Sequence, residues 1–176
     1  MKVETAILPG VRIITSRIFS DERGFFNERS RIDVLRNAGI EDQFVQLNHS
    51  RSLPGVIRGL HGQRNPAQAK LVTCLNGKIL DVVVDARRDS STYGKSFTCE
   101  LSGENGKTIY IPAGYLHGFC VLDQNPADVI YQVDGYYHAA GEFGVRFDDP
   151  NLNIKWPIEN PIVSGKDRAL PLLKEL

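Results

Sequence analysis

The sequence has no excess charge of either sign: Lys plus Arg and Asp plus Glu each total 21 over 176 residues. That balance gives nucleic acid or an anionic membrane no general electrostatic hold, so an anionic ligand needs a local cluster of basic groups. No apolar run approaches the length of a membrane span, and Met1 to Gly10 lacks the apolar core of a signal peptide. Cysteine is scarce. Cys74, Cys99 and Cys120 are widely spaced, each in a strand-like apolar context, which reads as buried free thiols and disfavours a disulfide framework or a metal knuckle. Repeats, low-complexity tracts and flexible linkers are missing. A single domain over residues 1–176, cytoplasmic and either an enzyme or a binding module, is the expectation.

Helical periodicity is also in short supply. One segment carries it, Arg31 to Ala38, with Ile32, Val34 and Leu35 near one side and Gly39 where a C-terminal cap belongs. A second, short helix is expected near Lys166 to Ala169. The last third, from Asp148 onward, is rich in turn residues and reads as a wrap around a sheet. What is plentiful is punctuation: 16 Gly and nine Pro separate short β-prone runs. Leu71 to Leu75 and Lys78 to Ala86 flank Asn76-Gly77 and predict a tight hairpin. Phe97 to Leu101 and Thr108 to Ile111, around Asn105-Gly106, predict another. Further strands are predicted at Val11 to Ser16, Gly24 to Glu28, Phe44 to Asn48, Val56 to Leu60, His117 to Leu122 and Val129 to Val133. Many short antiparallel strands with few helices predict an all-β sandwich, jelly roll or barrel. Within Ile79 to Asp85, alternation puts Ile79, Asp81, Val83 and Asp85 on one face, which suits a barrel wall beside a polar cavity; for Asp85 alone a simply wet face fits as well.

The histidines number four: His49, His61, His117 and His138. His61 has company, in Arg58-Gly-Leu-His61-Gly-Gln63 followed by Lys70. Arg and Lys beside a histidine can hold an anion and move a proton, although a surface strand with scattered charge would look the same. A metal-binding strand would read His-x-His; here the second position is Gln63, and no three-ligand set is visible, so a metal is not expected. Strand alternation sends Arg58 and His61 to opposite faces unless a bulge intervenes, which Gly59 would permit.

Taken in order, these segments, together with Asp21 to Glu28, Phe44 to Ser50, Ile111 to Phe119, Tyr131, Tyr136-Tyr137, Trp156-Pro157 and Ser164-Gly-Lys166-Asp167, resemble the dTDP-4-dehydrorhamnose 3,5-epimerase family. The likeness runs from about Asp21 to Leu173. It implies a cupin jelly roll, a homodimer, no cofactor, and a nucleotide-linked 4-keto-6-deoxy sugar as substrate. His61 matches the family's catalytic base, Tyr131 its proton donor, and Asp167 the acid that pairs with the base. Lys70 and Arg58 match residues around the keto sugar. Arg23, Glu28, Gln46, Asn48, His117, Glu142 and Lys166 fall on positions that hold the ligand, partly through its diphosphate, and Tyr137 or Tyr136 matches an aromatic packed on the nucleobase. The chemistry fits these types. A hydrogen beside a ketone is acidic because its loss gives an enolate, which a lysine cation stabilises. A neutral imidazole accepts the proton, a carboxylate steadies the imidazolium, and a phenol reprotonates the opposite face.

In one place the chain departs from that pattern: Gly62 follows the base where the family usually carries an aromatic, which would open space beside the base or shift a loop. Inversion of one carbon rather than two is therefore a second reading. A non-catalytic sugar-nucleotide-binding cupin is a third, and a metal-dependent cupin enzyme a fourth.

Overall fold

Runs of β-branched and aromatic residues broken by Gly and Asn favour short strands, and a computed structural model describing residues 1–176 contains thirteen. They are β1 (Lys2–Thr5), β2 (Arg12–Thr15), β3 (Ile18–Asp21), β4 (Gly24–Asn27), β5 (Gln46–Ser52), β6 (Ile57–Gln63), β7 (Lys70–Asn76), β8 (Lys78–Asp85), β9 (Ser96–Ser102), β10 (Lys107–Ile111), β11 (Tyr115–Val121), β12 (Ala127–Val133) and β13 (Glu142–Gly144). Two α-helices accompany them, α1 (Ile32–Asn37) and α2 (Gly165–Arg168). Gly39, just beyond α1, takes φ +77°, the left-handed conformation of a helix end. Both helices lie where the sequence puts them, within a residue or two.

Two antiparallel sheets face each other. One runs β1-β2-β10-β7-β12-β5 and the other β13-β6-β11-β8-β9, while β3 and β4 form a separate two-stranded ribbon. This is the cupin-type jelly roll that the resemblance implies. Between the sheets lies the main core, with Val72, Ile109 and Val129 from one side against Ile79, Val83 and Phe119 from the other. Outside the second sheet, Leu60, Val82, Val84 and Leu116 are covered by Val145, Leu152 and Leu173 of the C-terminal wrap. Outside the first, Ile14 and Leu71 are covered by Leu35 of α1 and Ile40. Cys74 and Cys120 are buried, Cys99 is half-buried and all three are free thiols; burial raises each pKa, to about 11 for Cys74 and Cys120.

Neither predicted hairpin forms. β7 and β8 are joined at Gly77, with φ +73°, but belong to different sheets, as do β9 and β10. The positive φ that suits a hairpin turn serves here as a corner between sheets, and the partners come from farther along the chain: β8 pairs with β11 and β9, and β7 with β10 and β12. Strands β1, β3 and β13 have no counterpart among the predicted runs, since each is three or four residues long, and β1 and β3 are largely open to solvent.

Pairing of β13 with β6 places Phe143 opposite Gly62. A Cβ at Gly62 would fall 2.7 Å from Phe143 Cε1 and 2.9 Å from the carbonyl of Tyr115. The space that the missing side chain leaves is thus filled by the ring of Phe143, which also carries the Arg64 guanidinium 3.8 Å from its centroid. Gly62 opens no room beside His61. Gly62→Phe should destabilise the fold by overpacking, by about 1–3 kcal/mol, seen as a lower denaturation midpoint. Adding Phe143→Gly to the same chain should recover most of it.

Candidate active site

Alternation along β6 is interrupted at one residue. Gly59 adopts φ +106°, and the pairing with β11 passes from His117↔His61 to Phe119↔Arg58, so three steps on β6 oppose two on β11. A Cβ at position 59 would lie 2.7 Å from both Gly118 Cα and the His117 carbonyl oxygen, so only glycine fits. The irregularity turns Arg58 and His61 toward one cavity of about 480 Å³.

His61 is held from the far end of the chain. Its Nε2 lies 2.9 Å from Asp167 Oδ1, and Asp167 Oδ2 accepts the Gly59 amide N–H at 3.0 Å. Asp167 sits in α2, where its own N–H donates to Ser164 Oγ at the helix start. Burial pushes the His61 imidazole below its ordinary value; the Asp167 charge opposes this without reversing it. Burial pushes the Asp167 carboxyl the other way, but the Gly59 amide and the His61 side chain outweigh it and hold the acid low. A neutral imidazole beside an ionised carboxylate results. With Nε2 engaged, Nδ1 is the ring nitrogen left for a ligand.

Lys70 of β7 and Tyr131 of β12 stand on the other sheet and line the same cavity. Burial brings Lys70 down to about 8, partly offset by Asp81 and Glu142, and its Nζ donates to the His61 carbonyl at 3.2 Å. Burial raises Tyr131, with the Arg58 charge pulling the other way, so the phenol stays protonated. His117, directly across from His61 in the β6–β11 pairing, is buried with Nε2 2.8 Å from Asp81 Oδ2. Arg58 Nε donates to Ser52 Oγ at 2.8 Å. A chain of zero formal charge therefore concentrates basic groups in one recess.

An adjoining cavity of about 380 Å³ shares His61, Lys70 and Tyr131 and extends to Gln46, Asn48, Tyr137 and Glu142. Glu142 Oε2 accepts from Tyr137 Oη at 2.9 Å and pairs with Lys166 Nζ at 2.6 Å. Tyr137 lines this recess and its neighbour Tyr136 does not. Arg23 and Glu28 line neither cavity of their own chain. They lie on or beside the β3–β4 ribbon, exposed, Arg23 bonded to Asp21 and Glu28 3.8 Å from Arg31. Gln63 and Gln68 also line the second cavity. Asp81, on the face that alternation suits to a polar cavity, is fully buried against His117 and lines neither cavity itself. No group of three or more His, Cys, Asp or Glu side chains is placed to hold a metal ion.

Comparison with known proteins adds the following. The family model described as dTDP-4-dehydrorhamnose 3,5-epimerase matches residues 5–175. A dTDP-4-dehydrorhamnose 3,5-epimerase of Shigella flexneri is 44% identical over 169 residues, 95% of this chain and 93% of the relative. The crystal structure of a dTDP-6-deoxy-D-glucose-3,5-epimerase from Legionella pneumophila, in complex with dTDP-4-keto-L-rhamnose, superposes with a TM-score of 0.94 at 43% identity, covering 98% of this chain and 93% of that one. A 3'-monoepimerase from Streptomyces bikiniensis, in complex with dTDP-quinovose, superposes with a TM-score of 0.89 at 33% identity, covering 96% and 86%.

The two opposing influences on His61 can be separated by titration. Followed by NMR of the imidazole nitrogens, His61 should titrate below the ordinary histidine value. In Asp167→Asn, with the supporting charge gone and the burial kept, it should titrate lower still. A rise in that variant would contradict the account of the pair.

Proposed function

The chain belongs to the dTDP-4-dehydrorhamnose 3,5-epimerase family, and on that footing we propose that it is an isomerase inverting C3 and C5 of dTDP-4-keto-6-deoxy-D-glucose to give dTDP-4-dehydro-L-rhamnose. The observation that carries the reading is the division of one cavity between two sheets: His61 with Asp167 on one side, Tyr131 and Lys70 on the other. His61 Nδ1 takes the hydrogen beside the ketone, and Asp167 stabilises the imidazolium that forms. Charge moves to the ketone oxygen, where the Lys70 cation meets it in a water-poor recess. Tyr131 then returns a proton from the opposite face, and the carbon is inverted. Arg58 and His117 hold the sugar, Tyr137 stacks on the nucleobase, and Lys166, Glu142, Gln46 and Asn48 fix the rest of the nucleotide.

Arg23 and Glu28 enter this reading through a second copy. The β3–β4 ribbon makes no sheet pairing with the barrel and exposes Phe19, Phe25 and Phe26, while Leu47 stands exposed on β5, the free edge of the first sheet. These features support a homodimer in which each ribbon brings Arg23 and Glu28 to its neighbour's cavity. Three free thiols, two of them buried, support a cytoplasmic location.

Incubation with the 4-keto substrate in deuterated water tests the proposal: label should enter at both C3 and C5. Label at C3 alone would instead favour single inversion, the activity named for the Streptomyces bikiniensis relative. His61→Asn should slow exchange at both carbons by about 10²–10⁴-fold. Tyr131→Phe should divide exchange from inversion, since His61 alone can return deuterium only to the face it took hydrogen from. The pH profile of kcat/KM should be bell-shaped. Activity rises with pH as His61 loses its proton, below the ordinary histidine value, and falls as Lys70 loses its charge near 8. In Lys70→Arg the alkaline limb should disappear from whatever rate remains, because guanidinium stays charged.

A further inference from the structure

Gln63 occupies the position that a second histidine would take in a His-x-His metal strand, and its amide is fully committed elsewhere. The side chain is buried. Its Nε2 donates to the carbonyls of Pro66 at 3.0 Å and Tyr136 at 3.2 Å, and its Oε1 accepts the His138 N–H at 2.8 Å. Both donors and the acceptor of a carboxamide are thereby used. Two more glutamines grip the same stretch of chain: Gln68 Nε2 donates to the Gly135 carbonyl at 2.6 Å, and Gln46 Oε1 accepts the Tyr137 N–H at 3.1 Å. Residues 135–138 belong to no helix or strand, so their backbone groups have few partners of their own. The three amides supply what a sheet would otherwise supply.

Tyr137 rides on this stretch. The residue is 59% exposed, too open to be fixed by packing, yet its hydroxyl is bonded to Glu142 and it lines the second cavity. An exposed aromatic on an unsupported loop would have to be ordered when a ligand arrives, at a cost in affinity. We infer that Gln63 is a positioning residue for the nucleotide end of the site: it clamps residues 136–138 to the strand that carries His61, so that Tyr137 faces the ligand before binding. The inference rests on the reading above that Tyr137 contacts the nucleobase. It links two parts of the cleft through a single strand, with the base at position 61 and the clamp two residues on.

The test compares Gln63→Met, nearly the same in shape but unable to make the three bonds, with Tyr137→Ala and the double variant. Binding of dTDP alone and the KM and kcat for dTDP-4-keto-6-deoxyglucose are measured for each. Gln63→Met should weaken dTDP binding and raise KM about tenfold, with kcat changed by less than about twofold. The double variant should bind no more weakly than Tyr137→Ala, because a clamp has nothing to hold once the ring is gone. Gln68→Met, which removes one bond to the same stretch, should shift dTDP binding and KM in the same direction by less; should Gln63→Met fail to fold, this variant and its double with Tyr137→Ala decide the matter. Losses that multiply in the double variant, or a fall in kcat at unchanged KM, would overturn the inference while leaving the reading of Tyr137 intact. Unchanged dTDP binding in Tyr137→Ala would remove that reading, and the inference with it.

Discussion

Asp167 spends one oxygen on the imidazole of His61 and the other on the backbone amide of Gly59, and the rest of the site depends on that double engagement. The amide lies at the irregularity that swings Arg58 to the same side as His61. Left without the carboxylate, it would be a buried donor with no partner, at a cost of about 1–3 kcal/mol. One side chain therefore stabilises a backbone shape and orients the His61 imidazole. The two residues it joins to itself are more than a hundred positions upstream. The C-terminal wrap that delivers it is attached where Ile162 exchanges backbone bonds with Gly55 and Ile57, beside the start of β6. Val163 and Ser164 then line the cavity before α2 begins. The segment that covers one side of the cavity is also the one that completes the dyad.

Environment assigns each group its proton. Burial acts on all of them, but with opposite results: it keeps the imidazole neutral, keeps the phenol protonated and lowers the lysine to about 8, still mostly charged at neutral pH. Carboxylates decide how far each goes. Asp167 restrains His61, while Asp81 and Glu142 restrain Lys70. Neighbouring titratable groups whose surroundings push them toward different protonation states are the arrangement that acid–base chemistry at neutral pH requires.

Much of this was legible from the residues themselves. Short strands, two helix positions and free thiols follow from local chemistry, and Gly59 could be singled out because three-residue spacing is incompatible with one strand face. What local chemistry does not encode is which strand meets which. Asn76-Gly77 and Asn105-Gly106 satisfy the demands of a turn equally well whether the chain folds back on itself or passes to the opposite sheet. The location of Arg23 and Glu28 outside their own cavity depends on a ribbon that joins neither sheet, and no short motif announces that. Gln63 carries no charge and no reactive atom, so its importance appears only once the carbonyls of Pro66 and Tyr136 come within reach. Phe143 filling the gap above Gly62 is likewise invisible along the chain, since the two residues are 81 positions apart.

Because His61 stands on one sheet and Tyr131 on the other, the gap between them is not set by either residue. Facing sheets are held at roughly 10 Å by the side chains packed between them, here Val72, Ile109 and Val129 against Ile79, Val83 and Phe119, with Tyr131 itself resting on that layer. The interior thus works as a spacer, gauging the width of the reaction chamber. Proton transfer is sensitive to displacements well under an ångström, and close-packed interiors transmit the gain or loss of a single methylene. In this barrel, apolar residues most of which line no cavity set the distance between His61 and Tyr131, so a change in their volume bears on the site as well as on stability.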